Sequence, residues 1–169
     1  DLADLDSCDS LIEQVNKDLG GIDILINNAG RSIRRSIELS FDRFHDFERT
    51  MQLNYFGSLR LIMQSLPRMI ERRRGHIINI SSIGVLASSP RFSAYVASKA
   101  ALDAFSSCAQ GELSGKGISF TTINMPLVKT PMIAPTKMYD SVPTLSPEEA
   151  ADLIVKAIIE KPSRVATRL

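Results

Sequence analysis

The sequence has only two cysteines, Cys8 and Cys108, and no apolar stretch long enough to cross a bilayer. Two cysteines so far apart form no evident disulfide framework and have no metal-ligand neighbours, which indicates free thiols in a reducing cytoplasm. A transmembrane helix needs about 20 consecutive apolar residues, and a signal peptide needs a shorter apolar stretch at the N-terminus. Neither pattern is present, so the sequence predicts a cytoplasmic protein with no transmembrane segment.

An excess of charge of one sign is also missing. The 20 Lys and Arg residues are balanced by 19 Asp and Glu residues, and the net charge is +1. A nucleic-acid-binding protein usually carries a clear basic excess, so we predict no nucleic-acid partner. His45 and His76 have no ligand-like neighbours, and we predict no metal site. A chain of 169 residues is large enough for one domain with its own core.

Apolar strand patterns alternate with helical patterns along the chain. The predicted strands cover 22–27, 75–80, 118–124 and 164–167, with a strand end at 1–4. The predicted helices run from a cap at Ser7 or Asp9 to Leu19, from a cap at Ser40 to about Arg73, from Ser93 to about Leu113, and from Pro147 onward. Such alternation predicts an α/β fold with a parallel sheet and right-handed crossovers.

Tyr95 and Lys99 are four residues apart in a predicted helix, and Ser82 follows a predicted buried strand. Residues at i and i+4 share one helix face, with β-carbons about 5–6 Å apart. A neighbouring ammonium lowers the cost of ionising a phenol, whose ordinary pKa is about 10. The three side chains therefore have the groups needed to move a proton on and off a substrate oxygen, with Tyr95 as the general acid/base. The alternative is a core tyrosine beside a solvated lysine.

Five motifs in order give the chain its likeness to a known family. They are Asn27-Asn-Ala-Gly30 after an apolar strand, Asn54 within a long helix, Ser82, the Tyr95/Lys99 pair, and the segment 125–132. This combination resembles the short-chain dehydrogenase/reductase family across nearly the whole chain. The resemblance implies a Rossmann-like, doubly wound parallel sheet, and it implies an oxidoreductase that transfers hydride between a nicotinamide cofactor and a carbonyl or alcohol carbon.

The resemblance also implies roles for single residues. Ser82 would hydrogen-bond the substrate oxygen, and Lys99 would hold the nicotinamide ribose. Asn54 resembles an asparagine that holds a water next to that lysine, and a buried structural hydrogen bond is the alternative. The catalytic set is thus Ser82, Tyr95, Lys99 and Asn54. The cofactor-binding residues implied in the same way are Asp1, Asn28, Ala29, Gly30, Tyr95, Lys99, Val128 and Thr130.

A glycine-rich phosphate-binding turn is missing from the sequence. Gly111 to Gly117 has a similar spacing, but it ends a helix and forms a turn into a strand, whereas a phosphate cradle needs a strand followed by a helix. We therefore interpret the chain as the C-terminal portion of the family's domain, without its first three strands. The choice between NADP(H) and NAD(H) depends on the missing part, with NADPH favoured. The segment 22–27 is then expected at an exposed sheet edge.

The predicted organisation is one partial domain, 1–169. It comprises the remainder of the cofactor site at 1–30, catalytic helices and strands at 41–124, a substrate loop at 125–146, and a final helix and strand at 147–169. The loop residues Ile133, Met138, Tyr139 and Val142 are predicted to line an apolar pocket. The resemblance further implies a homodimer or homotetramer through the helices that carry Asn54 and Tyr95.

A narrower likeness concerns the substrate. The segments 31–36 and 126–136 are similar to the reductase domain of bacterial fatty acyl-CoA reductases, which implies an acyl-CoA or fatty aldehyde substrate. Arg31, Arg34 and Arg35 would then bind the phosphates of an acyl-CoA or acyl-carrier group, or else form a solvated basic loop. The alternatives are a 3-oxoacyl or hydroxysteroid reductase, and a catalytically silent fragment that acts as an interaction module.

Overall fold

Four parallel strands form one sheet with helices on both faces. The structure is a computed structural model that describes residues 1–166, without the side chains of Met138 and Asp140. The elements are α1 (Leu5–Leu19), β1 (Ile24–Asn27), α2 (Phe44–Met51), α3 (Ser58–Glu71), β2 (Gly75–Ser82), α4 (Ile83–Ala87), α5 (Ser93–Leu113), β3 (Ile118–Met125), α6 (Pro147–Glu160) and β4 (Arg164–Ala166). The strand order is β1-β2-β3-β4, and all three pairings are parallel. The predicted α/β, Rossmann-like parallel sheet is therefore confirmed.

The core lies on both sides of the sheet because residues alternate along the strands. Ile77 and Phe120 pack against α3 and α5 on one face, where Ile62 and Met69 are fully buried. On the other face, Ile78, Ile80 and Ile123 pack against Ala150 and Ala157 of α6. A smaller cluster joins α1 to α3. Burial on both faces explains why apolar residues point to both sides of the sheet, as Ile77 and Ile78 do in β2 and Phe120 and Ile123 do in β3.

The long helix that begins after residue 43 contains a π-helical turn. α2 continues through a π-helical segment, Gln52–Gly57, into α3, so the backbone stays helical from residue 44 to 71. Pro67 lies inside α3 without ending it. The predicted cap at Ser40 is wrong, because that hydroxyl donates to the carbonyl oxygen of Ser36 and the helix starts four residues later.

Turn residues mark several element ends. α1 ends at Leu19 as predicted, and Gly20 follows it with φ of 76°. Gly117 has φ of 79°, and a β-carbon there would lie 2.1 Å from the carbonyl oxygen of Arg73, so the turn into β3 requires glycine. The interpretation of 111–117 as the end of a helix followed by a turn is confirmed.

Other predicted ends differ from the structure. Residues 1–4 form a turn rather than a strand end, and Asp4 caps α1 in place of Ser7 or Asp9. β4 begins at Arg164 as predicted, while Thr167, its predicted last residue, lies outside the described residues.

The connection from β3 to α6 is an irregular loop that is closed at its base. The backbone of Leu145 accepts from Lys129 at 2.9 Å and donates to Leu127 at 2.8 Å, which forms a short parallel bridge. α6 then starts at Pro147 behind a capping box of Ser146 and Glu149. Within residues 1–166, no helix combines the length and the apolar character that crossing a membrane requires.

Candidate active site

A cavity of about 1340 Å³ opens at the carboxyl ends of the parallel strands. The ends of β1, β2 and β3 contribute residues to its wall, and the loop 130–139 and the first two turns of α6 complete it. In open α/β sheets this edge is the usual place for a ligand, because the strand ends and the following loops form a crevice there. The cavity is therefore the candidate active site.

Ser82, Tyr95 and Lys99 all line this cavity. Ser82 is the last residue of β2 and the N-cap of α4, and its hydroxyl oxygen accepts from the amide of Gly84 at 3.0 Å. Tyr95 and Lys99 lie one turn apart near the start of α5. The structure thus brings together three of the four predicted catalytic side chains, and their roles stay predictions.

The ammonium of Lys99 is buried, with only 5% of the residue exposed. Its Nζ donates to the carbonyl oxygen of Ile80 at 2.7 Å. Burial lowers the pKa of Lys99 from 10.5 to about 8, because a charged amine is poorly solvated inside the protein. An ammonium has three N–H donors, and the Ile80 bond uses one of them.

The pKa of the Tyr95 phenol shifts in the opposite direction to the one predicted from the sequence. The helical spacing predicts that Lys99 lowers the pKa of Tyr95, whereas in the structure burial dominates and raises this pKa. A hydrogen bond with Ser82 opposes this rise, and the nearby Tyr139 adds to it. The helical spacing placed both groups at one cavity but did not reveal how strongly the phenol is desolvated. Tyr95 therefore favours its protonated form in this structure.

Asn54 lies in the π-helical turn and is fully buried. Its Oδ1 accepts from the Arg31 amide at 2.7 Å, and its Nδ2 donates to the Arg31 carbonyl at 2.8 Å and to Ser98 Oγ at 2.9 Å. These bonds hold the segment after β1 against α5. These contacts agree with the alternative prediction for Asn54, a buried structural hydrogen bond. The water-holding role stays a prediction. An asparagine inside an apolar helix was the sequence signal for this site.

The turn after β1 brings its backbone close to the lysine. A β-carbon built on Gly30 would lie 3.3 Å from Lys99 Nζ and 3.4 Å from Asn54 Oδ1. Asn28 and Gly30 line the cavity, whereas Ala29 is not among the lining residues. Glycine therefore keeps open a narrow space between this turn and the ammonium.

The remaining predicted cofactor residues are divided between two places. Val128 and Thr130 line the cavity. Asp1 does not, and its carboxylate accepts from the amide of Ala3 at 2.9 Å in the exposed turn before α1. The structure thus brings Val128 and Thr130 to the other cofactor candidates but leaves Asp1 apart from them.

The three arginines after β1 have different surroundings. Arg34 is exposed and lines the cavity. Arg35 forms an ion pair with the buried carboxylate of Asp46 at 3.2 Å. The side chain of Arg31 is exposed and does not line the cavity. Of the three, Arg34 is the one whose position fits a ligand in this cavity.

The loop between β3 and α6 supplies part of the apolar wall. Ile133 and Tyr139 line the cavity as predicted, and the Tyr139 ring stacks on Phe92 with centroids 6.4 Å apart. Val142 does not line it, and the side chain of Met138 lies outside the described residues.

One wall of the cavity and a polar network beside it are not predicted from the sequence. The missed wall is a stripe of α6 at spacing i, i+3, i+4 and i+7, formed by Pro147, Ala150, Ala151 and Ile154. That apolar spacing is visible in the sequence and could have identified it. The network joins Asp103, Asn124 and Arg164 near Ser82. No local pattern in the sequence connects these three residues.

Comparison with known proteins gives a consistent result. The family model described as short chain dehydrogenase matches residues 1–139. A fatty acyl-CoA reductase from Acinetobacter baylyi is 66% identical over 169 residues, which cover 100% of this chain and 57% of that protein. A fatty acyl-CoA reductase from Mycobacterium tuberculosis is 54% identical over 170 residues, 100% of this chain and 58% of that protein. The chain thus spans somewhat more than half the length of these relatives.

Solved structures share the fold. A short-chain dehydrogenase from Streptomyces avermitilis superposes with a TM-score of 0.87 at 30% identity, covering 99% of this chain and 68% of that one. A 3-ketoacyl-(acyl-carrier-protein) reductase from Brucella melitensis, complexed with NADH, gives a TM-score of 0.85 at 24% identity over 93% of this chain and 68% of that one. The family match, the whole-chain identities and the parallel sheet agree, and the chain belongs to the short-chain dehydrogenase/reductase family.

Proposed function

We propose that the protein is a nicotinamide-dependent oxidoreductase that transfers hydride to a carbonyl carbon, with Tyr95 as the proton donor. The observation that carries this proposal is the convergence of Ser82, Tyr95 and Lys99 on one cavity at the carboxyl edge of the sheet. Family membership and the oxidoreductase relatives support it.

The residues around Lys99 fit a nicotinamide cofactor. Gly30 leaves space beside the ammonium, and Lys99 keeps two N–H donors that suit ribose hydroxyls. Asn28, Val128 and Thr130 line the same cavity and would complete the contacts. The bound cofactor would supply the hydride. We favour NADPH over NADH, and titration of both cofactors decides between them.

The protonation states suit reduction at neutral pH. Because burial raises the pKa of Tyr95, its phenol holds a proton that it can give to a substrate oxygen. When hydride reaches a carbonyl carbon, negative charge develops on the oxygen, and the Ser82 hydroxyl can donate a hydrogen bond to that charge. Lys99, with a pKa of about 8, is mostly protonated at pH 7 and adds positive charge at the same place.

The walls of the cavity favour a substrate with an apolar chain and an anionic head. The charged side chains among the described lining residues are all cations, namely Arg34, Lys99 and Lys137. Met132, Ile133 and Tyr139 supply apolar surface beside them. A long-chain acyl-CoA has this combination of phosphates and hydrocarbon, and a fatty aldehyde has the hydrocarbon alone. The names of the two fatty acyl-CoA reductase relatives support this substrate class.

Two measurements test the function. NADPH and NADH are titrated into this chain and into any longer protein that its gene encodes, and turnover is then followed with a fatty aldehyde and an acyl-CoA. We expect saturable cofactor binding by the longer protein. If it bound neither cofactor, the reductase proposal would fall, and a silent interaction module would explain the chain better. Turnover of 3-oxoacyl or steroid substrates alone would replace the proposed substrate class.

Tyr95→Phe tests the catalytic role. This substitution removes the transferable proton, so turnover should fall by at least 10²-fold, the usual range for a general acid, while cofactor affinity stays within about twofold. Tyr55→Phe is a matched control, because Tyr55 lies in the π-helical turn and does not line the cavity. Equal turnover by the two variants would refute the assignment.

We also propose a homodimer through the helices that carry Asn54 and Tyr95. Phe56 and Met63 lie on the first of these helices with 45% and 52% of their surfaces exposed, and a second copy would cover them. Sedimentation analysis of the wild type and of a Met63→Glu variant tests this, since the charged variant should shift the protein toward the monomer. A wild type that sediments as a monomer would refute the proposal.

A further inference from the structure

Arg164 connects two parts of the candidate active site that are far apart in sequence. It is the first residue of β4, and its Nη1 and Nη2 donate to the two carboxylate oxygens of Asp103, both at 2.9 Å. Asp103 lies on α5, four residues after Lys99 and eight after Tyr95, on the same side of the helix. The guanidinium therefore holds the helix that carries the proposed proton donor.

The same guanidinium also orients the end of β2. Arg164 Nη1 donates to Oδ1 of Asn124 at 2.7 Å, and Nδ2 of Asn124 donates to the backbone carbonyl of Ser82 at 3.2 Å. Asn124 Nδ2 also lies 3.5 Å from Ser81 Oγ. Asn124 is fully buried, and Asp103 is 8% exposed. These contacts link β4 to Ser82 through a single side chain.

The direction of each bond in this chain is determined by chemistry. A guanidinium only donates, so it requires the amide oxygen of Asn124 on its side. A backbone carbonyl only accepts, so the amide nitrogen must face Ser82. Arg164 and the Ser82 carbonyl thus require the same orientation of the Asn124 amide, and without Arg164 the amide oxygen loses the charged donor that holds it.

We propose that Arg164 is a positioning residue that holds Ser82 at its distance from Tyr95. The inference depends on the proposed function, because it assigns Arg164 a part in that reaction without any contact to substrate or cofactor. Asp103 and Asn124 transmit its effect to α5 and to Ser82. A bidentate arginine suits this position because its planar fork restricts both partners in direction as well as distance.

The chain contains a matched control pair. Arg60 on α3 holds Asp9 on α1 through two guanidinium nitrogens, with Nε 2.6 Å from Oδ1. The side chain of Arg60 is 42% exposed and that of Arg164 is 39% exposed. Both arginines thus tie two elements together with similar exposure, and neither lines the cavity. They differ because Arg164 is bonded through Asn124 to Ser82, whereas the Arg60 pair joins α3 to α1. Arg60→Met should lower thermal stability and leave kcat within about twofold.

The test compares Arg164→Met with Arg60→Met in the wild type and in a Ser82→Ala background. Arg164→Met should lower kcat about 10- to 100-fold, because a small displacement of a catalytic group has effects of this size, and the KM for the cofactor should stay within about twofold. In the Ser82→Ala background, Arg164→Met should lower kcat by only about threefold or less, since the effects of residues that act together are not additive. Arg164→Lys keeps the charge but loses the bidentate guanidinium geometry, so its kcat should lie between those of the wild type and Arg164→Met. This variant replaces Arg164→Met in the test if the Met variant does not fold.

A second readout does not depend on turnover. The amide of Gly84 donates to Ser82 Oγ, so its hydrogen exchange reports the position of Ser82. Exchange at Gly84 should become about five- to tenfold faster in Arg164→Met, the effect of weakening one hydrogen bond, and should be unchanged in Arg60→Met.

The outcomes separate this inference from the proposed function. An unchanged kcat in Arg164→Met, an equal loss in both backgrounds, or an equal loss in Arg60→Met would each overturn the positioning role. If the wild type itself has no nicotinamide-dependent turnover, the proposed function fails, and Gly84 exchange still decides whether Arg164 holds Ser82.

Discussion

The Nζ of Lys99 lies 2.7 Å from the carbonyl oxygen of Ile80, so α5 is tied to the end of β2 by a buried ammonium. The carbonyl belongs to the strand that ends in Ser82, and the lysine belongs to the helix that carries Tyr95. This hydrogen bond therefore helps to fix the spacing between the two walls of the cavity. The bond also keeps a charge in a poorly solvated place, which carries a cost in stability.

Replacement of Lys99 should stabilise the protein at neutral pH. The difference between pKa values of 10.5 and about 8 corresponds to ~3 kcal/mol of penalty for the charged form. Lys99→Met removes this penalty and loses a hydrogen bond that contributes about 1 kcal/mol. We expect the free energy of unfolding at pH 7, measured by urea denaturation, to rise by about 1–3 kcal/mol, while turnover is lost.

The pH dependence of this gain has a definite sign. Between pH 8 and 10.5 the unfolded wild type binds more protons at this lysine than the folded wild type, so the contribution of Lys99 to stability increases with pH. The advantage of Lys99→Met should therefore be largest below pH 8 and shrink toward pH 10. Lys156→Met is the control, because Lys156 is a surface lysine with 68% of its side chain exposed. An advantage that does not change between pH 7 and 10 would contradict the burial argument.

Asn54→Ala should lower the free energy of unfolding by more than the replacement of a typical single polar residue does. The substitution removes two part-buried hydrogen bonds to the backbone of Arg31 and one buried hydrogen bond to Ser98, and each contributes about 0.5–1.5 kcal/mol. We expect a loss of about 2–4 kcal/mol in the free energy of unfolding. Ser107→Ala, which removes a hydroxyl bonded within its own helix, should change stability by less than about 1 kcal/mol. Similar losses in both variants would argue against a specific bracing role.

Gly30→Ala should weaken cofactor binding with little effect on folding. The new methyl group would lie 3.3 Å from Lys99 Nζ, which forces the ammonium to shift within the space proposed for the cofactor. Affinity for NADPH, measured by titration calorimetry on the cofactor-binding form of the protein, should fall roughly tenfold, or ~1.4 kcal/mol. Gly111→Ala is the control, since nothing lies within 4 Å of its added methyl and it is inside α5. This control should add about 0.5–1 kcal/mol of stability and leave affinity unchanged.

Arg34→Gln should discriminate between anionic and neutral substrates. If Arg34 contacts a phosphate of an acyl-CoA, its loss should raise the KM for acyl-CoA about tenfold, as expected for one charged hydrogen bond. The KM for a fatty aldehyde and that for NADPH should both stay within about twofold. Arg31→Gln, which changes a neighbouring exposed arginine outside the cavity wall, should leave all three values unchanged. A rise confined to the KM for NADPH would assign Arg34 to the cofactor phosphates instead.

Local patterns in the sequence determined much of the fold. The strand segments β2 and β3, the glycine turns at Gly20 and Gly117, and the proline start of α6 depend on residues near one another in the chain. Helical spacing likewise placed Tyr95 and Lys99 on one face, and both line the cavity. These features follow from backbone preferences and short-range periodicity, so they were predictable.

Only the tertiary structure decided the properties that depend on distant partners. Arg34 and Arg35 look alike in sequence, but the buried carboxylate of Asp46 engages one and leaves the other at the cavity. The pKa of Tyr95 rises because the fold buries the phenol. Arg164 is linked to Ser82 through Asn124 only because β3 and β4 are neighbours in the sheet. Burial, ion pairing and hydrogen-bond networks come from packing between elements, and no local stretch of residues encodes them.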